Sequence, residues 1–126
     1  MNNLISVVVT CYNHEKYIEQ CLRSVFNQTY TNIELIVLDD GSTDSSTQII
    51  QEVLKDSPFE TRFETHENLG VVKNRNLGLE LIRGDYLLFV DSDNYLDADY
   101  VEQLYSKLTE TNADIVYCDL FNPEKE

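Results

Sequence analysis

The chain has 126 residues, 42% of them hydrophobic and 25% charged, and a formal net charge of −14. That length carries one domain with its own core, and the ordinary balance of apolar and charged residues excludes disorder. The acidity excludes non-specific nucleic-acid binding, which needs a basic surface, and it repels any anionic ligand unless a divalent cation or a few placed basic residues reverse the local sign.

Taken in chain order, Leu4 to Thr10 is a continuous β-branched run, the mark of a strand covered on both faces. Asn13 is placed to cap the helix that follows, in which Tyr17, Cys21 and Val25, with Ile18, Leu22 and Phe26, form an apolar stripe. Ile33 to Leu38 is a second buried strand. Asp40-Gly41-Ser42-Thr43-Asp44 is turn and cap chemistry opening a helix that buries Ile49, Ile50, Val53 and Leu54. Pro58 breaks the chain, and Phe59 to Thr65 is a weaker strand suited to a sheet edge. A helix is predicted from Val71 to Ile82, with Gly84 as its C′ residue. Tyr86 to Val90 is the most hydrophobic strand. A helix over Asp97 to Glu110 carries Val101, Leu104, Tyr105 and Leu108, and Ile115 to Cys118 makes a last strand.

This alternation predicts a three-layer α/β/α fold with a mainly parallel sheet. Cys11, Cys21 and Cys118 are odd in number and lack CxxC spacing, so small buried hydrophobes in a reducing compartment outweigh a disulfide or a zinc site. With neither a membrane-spanning run nor a signal-type N-terminus, the expectation is a cytoplasmic protein, peripheral membrane association of a longer form staying open.

In parallel α/β sheets ligands sit outside the carboxyl ends of the strands. That rule gathers Thr10 to Asn13, Asp39 to Ser42 and Asp91 to Asp93 on one edge of the domain. Asp91 and Asp93 flank Ser92, and two carboxylates there suit a hard divalent cation held against phosphate; the same residues also suit a capped turn. Asp39 lies on its strand end and can accept an N–H from a planar heterocycle. Asp40 serves equally as a helix cap. Tyr12 can stack on a ring or pack over the strand ends, and Thr10 and Asn13 also suit strand end and helix cap. Lys73 and Arg75, two of only nine basic residues, fall in the first turns of a helix, where the dipole disfavours cations unless an anion binds nearby. Asn76 is expected on the buried side of that helix, and Gly78 lets the helix approach the sheet. His14 and His66 show no ligand spacing and are expected at surface or capping positions. No Ser/His/Asp or Cys/His set, Walker loop or GxGxxG is present.

Taken together, Val7-Val8-Val9-Thr10-Cys11-Tyr12-Asn13, Glu34 through Asp44, Asn68-Leu69-Gly70 through Arg75-Asn76, and Gly84-Asp85-Tyr86 through Asp91-Ser92-Asp93 resemble the N-terminal, donor-binding half of inverting family 2 glycosyltransferases of the GT-A fold. The resemblance covers nearly the whole chain, with the motifs in order. It implies a nucleotide-diphosphate sugar donor, UDP first among the nucleotides, and an acceptor that is a sugar, glycan or lipid-linked hydroxyl. It implies Thr10, Tyr12 and Asp39 around the nucleoside, Arg75 and Lys73 near base or diphosphate, and Asn13, Asp40 and Ser92 beside the donor. Asp91 and Asp93 match the family's DxD, which holds Mn²⁺ or Mg²⁺.

Family members continue beyond the point where this chain stops and carry the general base in their later half; no residue here matches it. The expectation is therefore a single domain over residues 1–126, part of a longer glycosyltransferase, that binds donor without efficient transfer. Sheet edges left unpaired would favour a homo-oligomer. Three rivals stay in view. A receiver domain needs an acidic pair after the first strand, where Thr-Cys-Tyr-Asn stands. A nucleotidyltransferase needs a Gly-rich basic loop there, and a non-catalytic sugar-nucleotide binder would keep the same donor residues.

Overall fold

The computed structural model describes residues 3–111. Its elements are β1 (Ile5–Cys11), α1 (Ile18–Phe26), β2 (Ile33–Asp40), α2 (Ser46–Val53) with a 3-10 turn at Leu54–Asp56, β3 (Glu60–His66), α3 (Val71–Leu81), β4 (Tyr86–Asp91) and α4 (Tyr100–Thr111). The expected strand at Ile115 to Cys118, and Cys118 itself, lie outside the described residues.

The four strands form one sheet in the order β3-β2-β1-β4, every pair parallel. β1 and β2 are buried almost throughout because helices cover both faces of the central strands. Period-two alternation divides their side chains between two cores. Val7, Val9, Leu35 and Val37 pack with α1, α2 and α4, whereas Val8, Ile36 and Leu38 pack with Leu77 and Leu81 of α3 and with Leu87 and Phe89. The result is the expected three-layer α/β fold. Its order places β3 outside β2, as in doubly wound nucleotide-binding sheets, and not β1 between β2 and β3 as a receiver domain requires. That rival is removed by topology.

α3 reaches the sheet through Gly78, where an added Cβ would stand 3.0 Å from Val8 Cγ1 and 3.1 Å from Leu38 Cδ1. Three local expectations change. Asn13 does not cap α1, which starts five residues later from Tyr17; it sits in the left-handed region at φ 54°, a conformation asparagine tolerates. Asn74, not Asn76, is the buried amide of α3, and Asn76 is exposed. Gly84 is not a left-handed C′ residue. It is glycine because a Cβ would meet Ser6 Oγ at 2.5 Å and the backbone of Leu4 and Ser6 at 2.8 Å.

Beside that close approach, the strand-start end of the sheet is tied by Glu34. Its carboxylate accepts bonds from Ser6 Oγ (2.5 Å), Arg83 N (2.6 Å) and Arg83 Nε (3.1 Å), and Arg83 also pairs with Glu60 at 2.7 Å. Burial pushes the Glu34 carboxyl up, but the Ser6 and Arg83 donors outweigh it and leave it below the usual range. Among the described residues no helix is long and apolar enough to cross a membrane.

Candidate functional site

At the opposite end of the sheet, β1 and β4 are adjacent and the crossover connections diverge, which makes a topological switch point. A cavity of about 320 Å³ opens there. β1 and its loop contribute Thr10, Cys11, Tyr12 and His14. β2 contributes Asp40, α3 contributes Val71, Asn74 and Arg75, and the end of β4 contributes Asp91 and Asp93. Strand alternation explains the choice. Val8, Ile36, Leu38, Leu87 and Phe89 face α3, so Thr10 and Tyr12, Asp40, and Asp91 continue those faces past the last apolar layer. The cavity is the polar end of the smaller core.

Asp91 pairs in register with Thr10, and Thr10 Oγ1 donates to Asp91 Oδ1 at 3.1 Å. Arg75 Nη2 reaches the same oxygen at 3.4 Å while its guanidinium lies 5.5 Å from the Phe89 ring centroid. Asn94 N donates to Asp91 O at 3.0 Å, closing a turn in which Asp91 and Asp93 both border the cavity. The two alternatives for this tripeptide thus coincide: it is a turn, and its carboxylates share one cavity.

Asp40 accepts Leu69 N at 2.7 Å, Gly70 N at 3.1 Å and His66 Nε2 at 3.2 Å, and its backbone carbonyl accepts Asn68 Nδ2 at 3.1 Å. Its carboxylate therefore fastens the segment leading into α3 and does not cap α2. Gly41 makes that approach possible; its φ is 73° and a Cβ would stand 2.5 Å from Asn68 N. Tyr12 is 46% exposed at the rim.

Four expected residues are not brought to the cavity. Asp39 points to the α1/α2 side, is 1% exposed, and accepts hydroxyls from Ser42 (2.5 Å), Thr47 (2.7 Å) and Thr65 (3.0 Å). Asn13 clasps two loops, its N–H donating to Ser42 Oγ at 2.9 Å and its Oδ1 accepting Thr43 N at 2.8 Å. Ser92 is wholly buried against His14. Lys73 is exposed and lies off the helical face that carries Val71, Asn74 and Arg75. In their place the structure adds Asn74, whose buried Oδ1 has no partner among the described residues, and His14. Both lacked a signal in sequence because their surroundings come from distant segments. Burial pushes the Cys11 thiol up and the Cys21 thiol well above the usual range, in keeping with buried, free cysteines.

A doubly wound parallel sheet with polar strand ends at its switch point is the architecture of the GT-A class of α/β fold, and solved structures bear the fold out. S. aureus TarS superposes with a TM-score of 0.77 at 32% identity, over 86% of this chain and 20% of that one. A complex of TarS with UDP-GlcNAc matches equally, over 32% of that chain. The mannosyltransferase PcManGT of Pyrobaculum calidifontis shares the fold at a TM-score of 0.73 and 24% identity, over 78% of this chain and 30% of that one. Among curated relatives, glycosyltransferase GlyA of Streptococcus pneumoniae is 44% identical over 115 residues, 91% of this chain and 16% of GlyA. The putative glycosyltransferase EpsH of Bacillus subtilis is 40% identical over 115 residues, 90% of this chain and 33% of EpsH. The chain thus spans well under half the length of these two relatives. Residues 6–126 match the family model described as glycosyl transferase family 2, and the chain belongs to that family.

Proposed function

We propose that the cavity binds the nucleotide-diphosphate sugar donor of an inverting glycosyl transfer, with UDP as nucleotide. The observation that carries this is the convergence of Thr10, Tyr12, Asp40, Arg75, Asp91 and Asp93 on one cavity at the switch point. The UDP-GlcNAc complex of TarS, at 32% identity, supports a uridine donor. Tyr12 offers a ring face for the base. Asp40 takes the base-reading role expected of Asp39, because Asp40 lines the cavity while Asp39 lies on the other face of the sheet, enclosed by hydroxyls.

Asp91 and Asp93 fit Mg²⁺ or Mn²⁺. They are hard oxygen donors on one cavity, and among the described residues no third His, Cys, Asp or Glu joins them to make an all-protein cage. That matches cations that keep one or two carboxylates and fill the rest with phosphate and water. Such a cation would neutralise charge on the leaving diphosphate. Arg75, beside Asp91, is placed to bind the same group. Displacement with inversion also needs a base on the acceptor side. None of the described residues is assigned that role, so donor binding is the function proposed for this chain, the acceptor being a sugar, glycan or lipid-linked hydroxyl.

Calorimetric titration with UDP, GDP and dTDP, with and without Mn²⁺ and repeated on Asp93→Ala, tests this. UDP should bind best, Mn²⁺ should tighten it, and Asp93→Ala should abolish the tightening. Equal affinity with and without metal removes the cation role, and failure of all three nucleotides to bind removes the donor site.

A further inference from the structure

We propose that His14 is a positioning residue for the Asp91-Ser92-Asp93 turn, holding it so that both carboxylates serve one cation; this rests on the donor-and-cation reading of the cavity. In the turn closed by Asn94 N on Asp91 O, the two central residues are Ser92 and Asp93. Their side chains diverge in fate. Asp93 borders the cavity, while Ser92 is 0% exposed. A turn on the end of a strand can swivel about that strand, and here it is pinned on both sides of Ser92. The Ser92 N–H donates to Thr10 O at 3.0 Å, and the Ser92 hydroxyl lies 2.5 Å from His14 Nδ1. The Cys11 thiol shares that hydroxyl but is a weak hydrogen-bonding group. The imidazole is the strong partner.

His14 is itself fixed by its backbone. Its N–H donates to Ser46 Oγ at 3.1 Å, at the first residue of α2. Its carbonyl accepts Tyr17 N at 3.0 Å and Ile18 N at 2.9 Å, where α1 begins. Its ring meets the Tyr17 ring edge-on at 5.9 Å. The side chain therefore transmits the position of two helix starts to the one residue standing between the two carboxylates. Groups behind metal ligands that fix their orientation typically govern metal affinity by about 10–100-fold.

The test is UDP affinity by calorimetry with and without Mn²⁺, together with Mn²⁺ binding by electron paramagnetic resonance, in wild type, His14→Ala, His14→Asn and Ser92→Ala. An asparagine amide can occupy the position of Nδ1 and alanine cannot. Without metal, any loss of UDP affinity in His14→Ala should be smaller than its loss with Mn²⁺, since His14 also borders the cavity. With Mn²⁺ its gain in affinity should shrink by roughly 10-fold or more. His14→Asn should recover most of the gain, and adding Ser92→Ala to His14→Ala should cost nothing further. A wild-type metal response in His14→Ala overturns the inference. So does an equal loss with and without metal, which would mark a direct or merely structural contact. Should His14→Ala not fold, His14→Gln, whose amide stands one bond farther out, replaces it under the same criteria. A wild type indifferent to Mn²⁺ overturns the cation reading itself, and that failure is visible without any variant.

Discussion

Asp39 and Asp40 are neighbours on one strand, yet the structure predicts opposite responses to the same substitution. Among the described residues, the Asp39 carboxylate accepts side-chain hydrogen bonds from the hydroxyls of Ser42, Thr47 and Thr65, at 2.5, 2.7 and 3.0 Å. Hydroxyls rotate between donating and accepting. In Asp39→Asn the remaining carbonyl oxygen still accepts from Ser42, and the amide N–H groups can donate to the two threonines, both of which sit on Oδ2. The cost should be about 1 kcal/mol, with UDP affinity unchanged. Asp39→Ala takes the acceptor away from the half-buried hydroxyls of Ser42 and Thr47 and from that of Thr65, which is exposed. Hydrogen bonds to a carboxylate contribute about 1.5–3 kcal/mol each. Water reaching Thr65, together with relief of the buried charge, offsets a large part of that sum, and a net loss of about 3 kcal/mol follows. For a domain of this size that is roughly a 10 °C fall in Tm.

The donors on Asp40 are fixed backbone N–H groups, Leu69 on Oδ1 and Gly70 on Oδ2. An asparagine there must turn an N–H toward a second N–H, so Asp40→Asn should loosen the loop into α3 and weaken UDP at least tenfold. Urea unfolding and UDP calorimetry on the three variants decide the matter. If Asp39→Asn loses UDP while Asp40→Asn keeps it, the assignment of the two faces is refuted.

Two further outcomes concern the other end of the sheet. Gly84→Ala places a methyl against the backbone of Leu4 and Ser6 at 2.8 Å, where nothing can rotate away. It should destabilise by about 1–3 kcal/mol, and an unchanged urea midpoint would show that the Leu4 to Ser6 segment yields. Because the folded Glu34 carboxyl lies below its unfolded value, its contribution is whole above the unfolded value of about 4.3 and is lost as pH falls through the folded value. The stability gap between wild type and Glu34→Gln should therefore be wide at neutral pH and close below about pH 4; a gap independent of pH would sink this account.

Much of the fold was legible because β-branched runs and helical stripes are local. The three strand ends converge as the α/β rule requires, and the edge position of β3 followed from its weak pattern. Choosing between Asp39 and Asp40 was not local. Period two says only that they face opposite sides, and the side that matters is fixed by where α3 packs. A signal existed: α3 carries Gly78 toward the sheet, Arg75 lies one turn earlier, and Val8, Leu38 and Phe89 are the atoms Gly78 meets. Extending those faces leads Thr10, Tyr12, Asp40 and Asp91 to the cavity and leaves Asp39 on the other side of the sheet. The same helical phase separates Arg75 from Lys73. His14 and His66 were illegible for a different reason. Their partners, Ser92 and Asp40, lie 78 and 26 residues away, and nothing near either histidine in sequence marks the pairing.

Charge supplies the last step. The chain is acidic overall, and the cavity sharpens the problem, with Asp40, Asp91 and Asp93 facing a single guanidinium, Arg75. Arg75 is already drawn to Asp91 at 3.4 Å and lies over Phe89, so part of its charge is spent on that carboxylate before any ligand is considered. Two like charges 4 Å apart near a protein surface repel by about 4 kcal/mol at an effective dielectric of 20. A diphosphate set against this wall meets that repulsion more than once, and one arginine does not cancel it. A divalent cation on Asp91 and Asp93, as proposed, would reverse the sign at the point of contact. On the proposed reading, metal dependence should be steep and should fail first where the two carboxylates lose their common direction. On that reading the turn between them, and the histidine proposed to pin it, should govern the metal response together with the carboxylates.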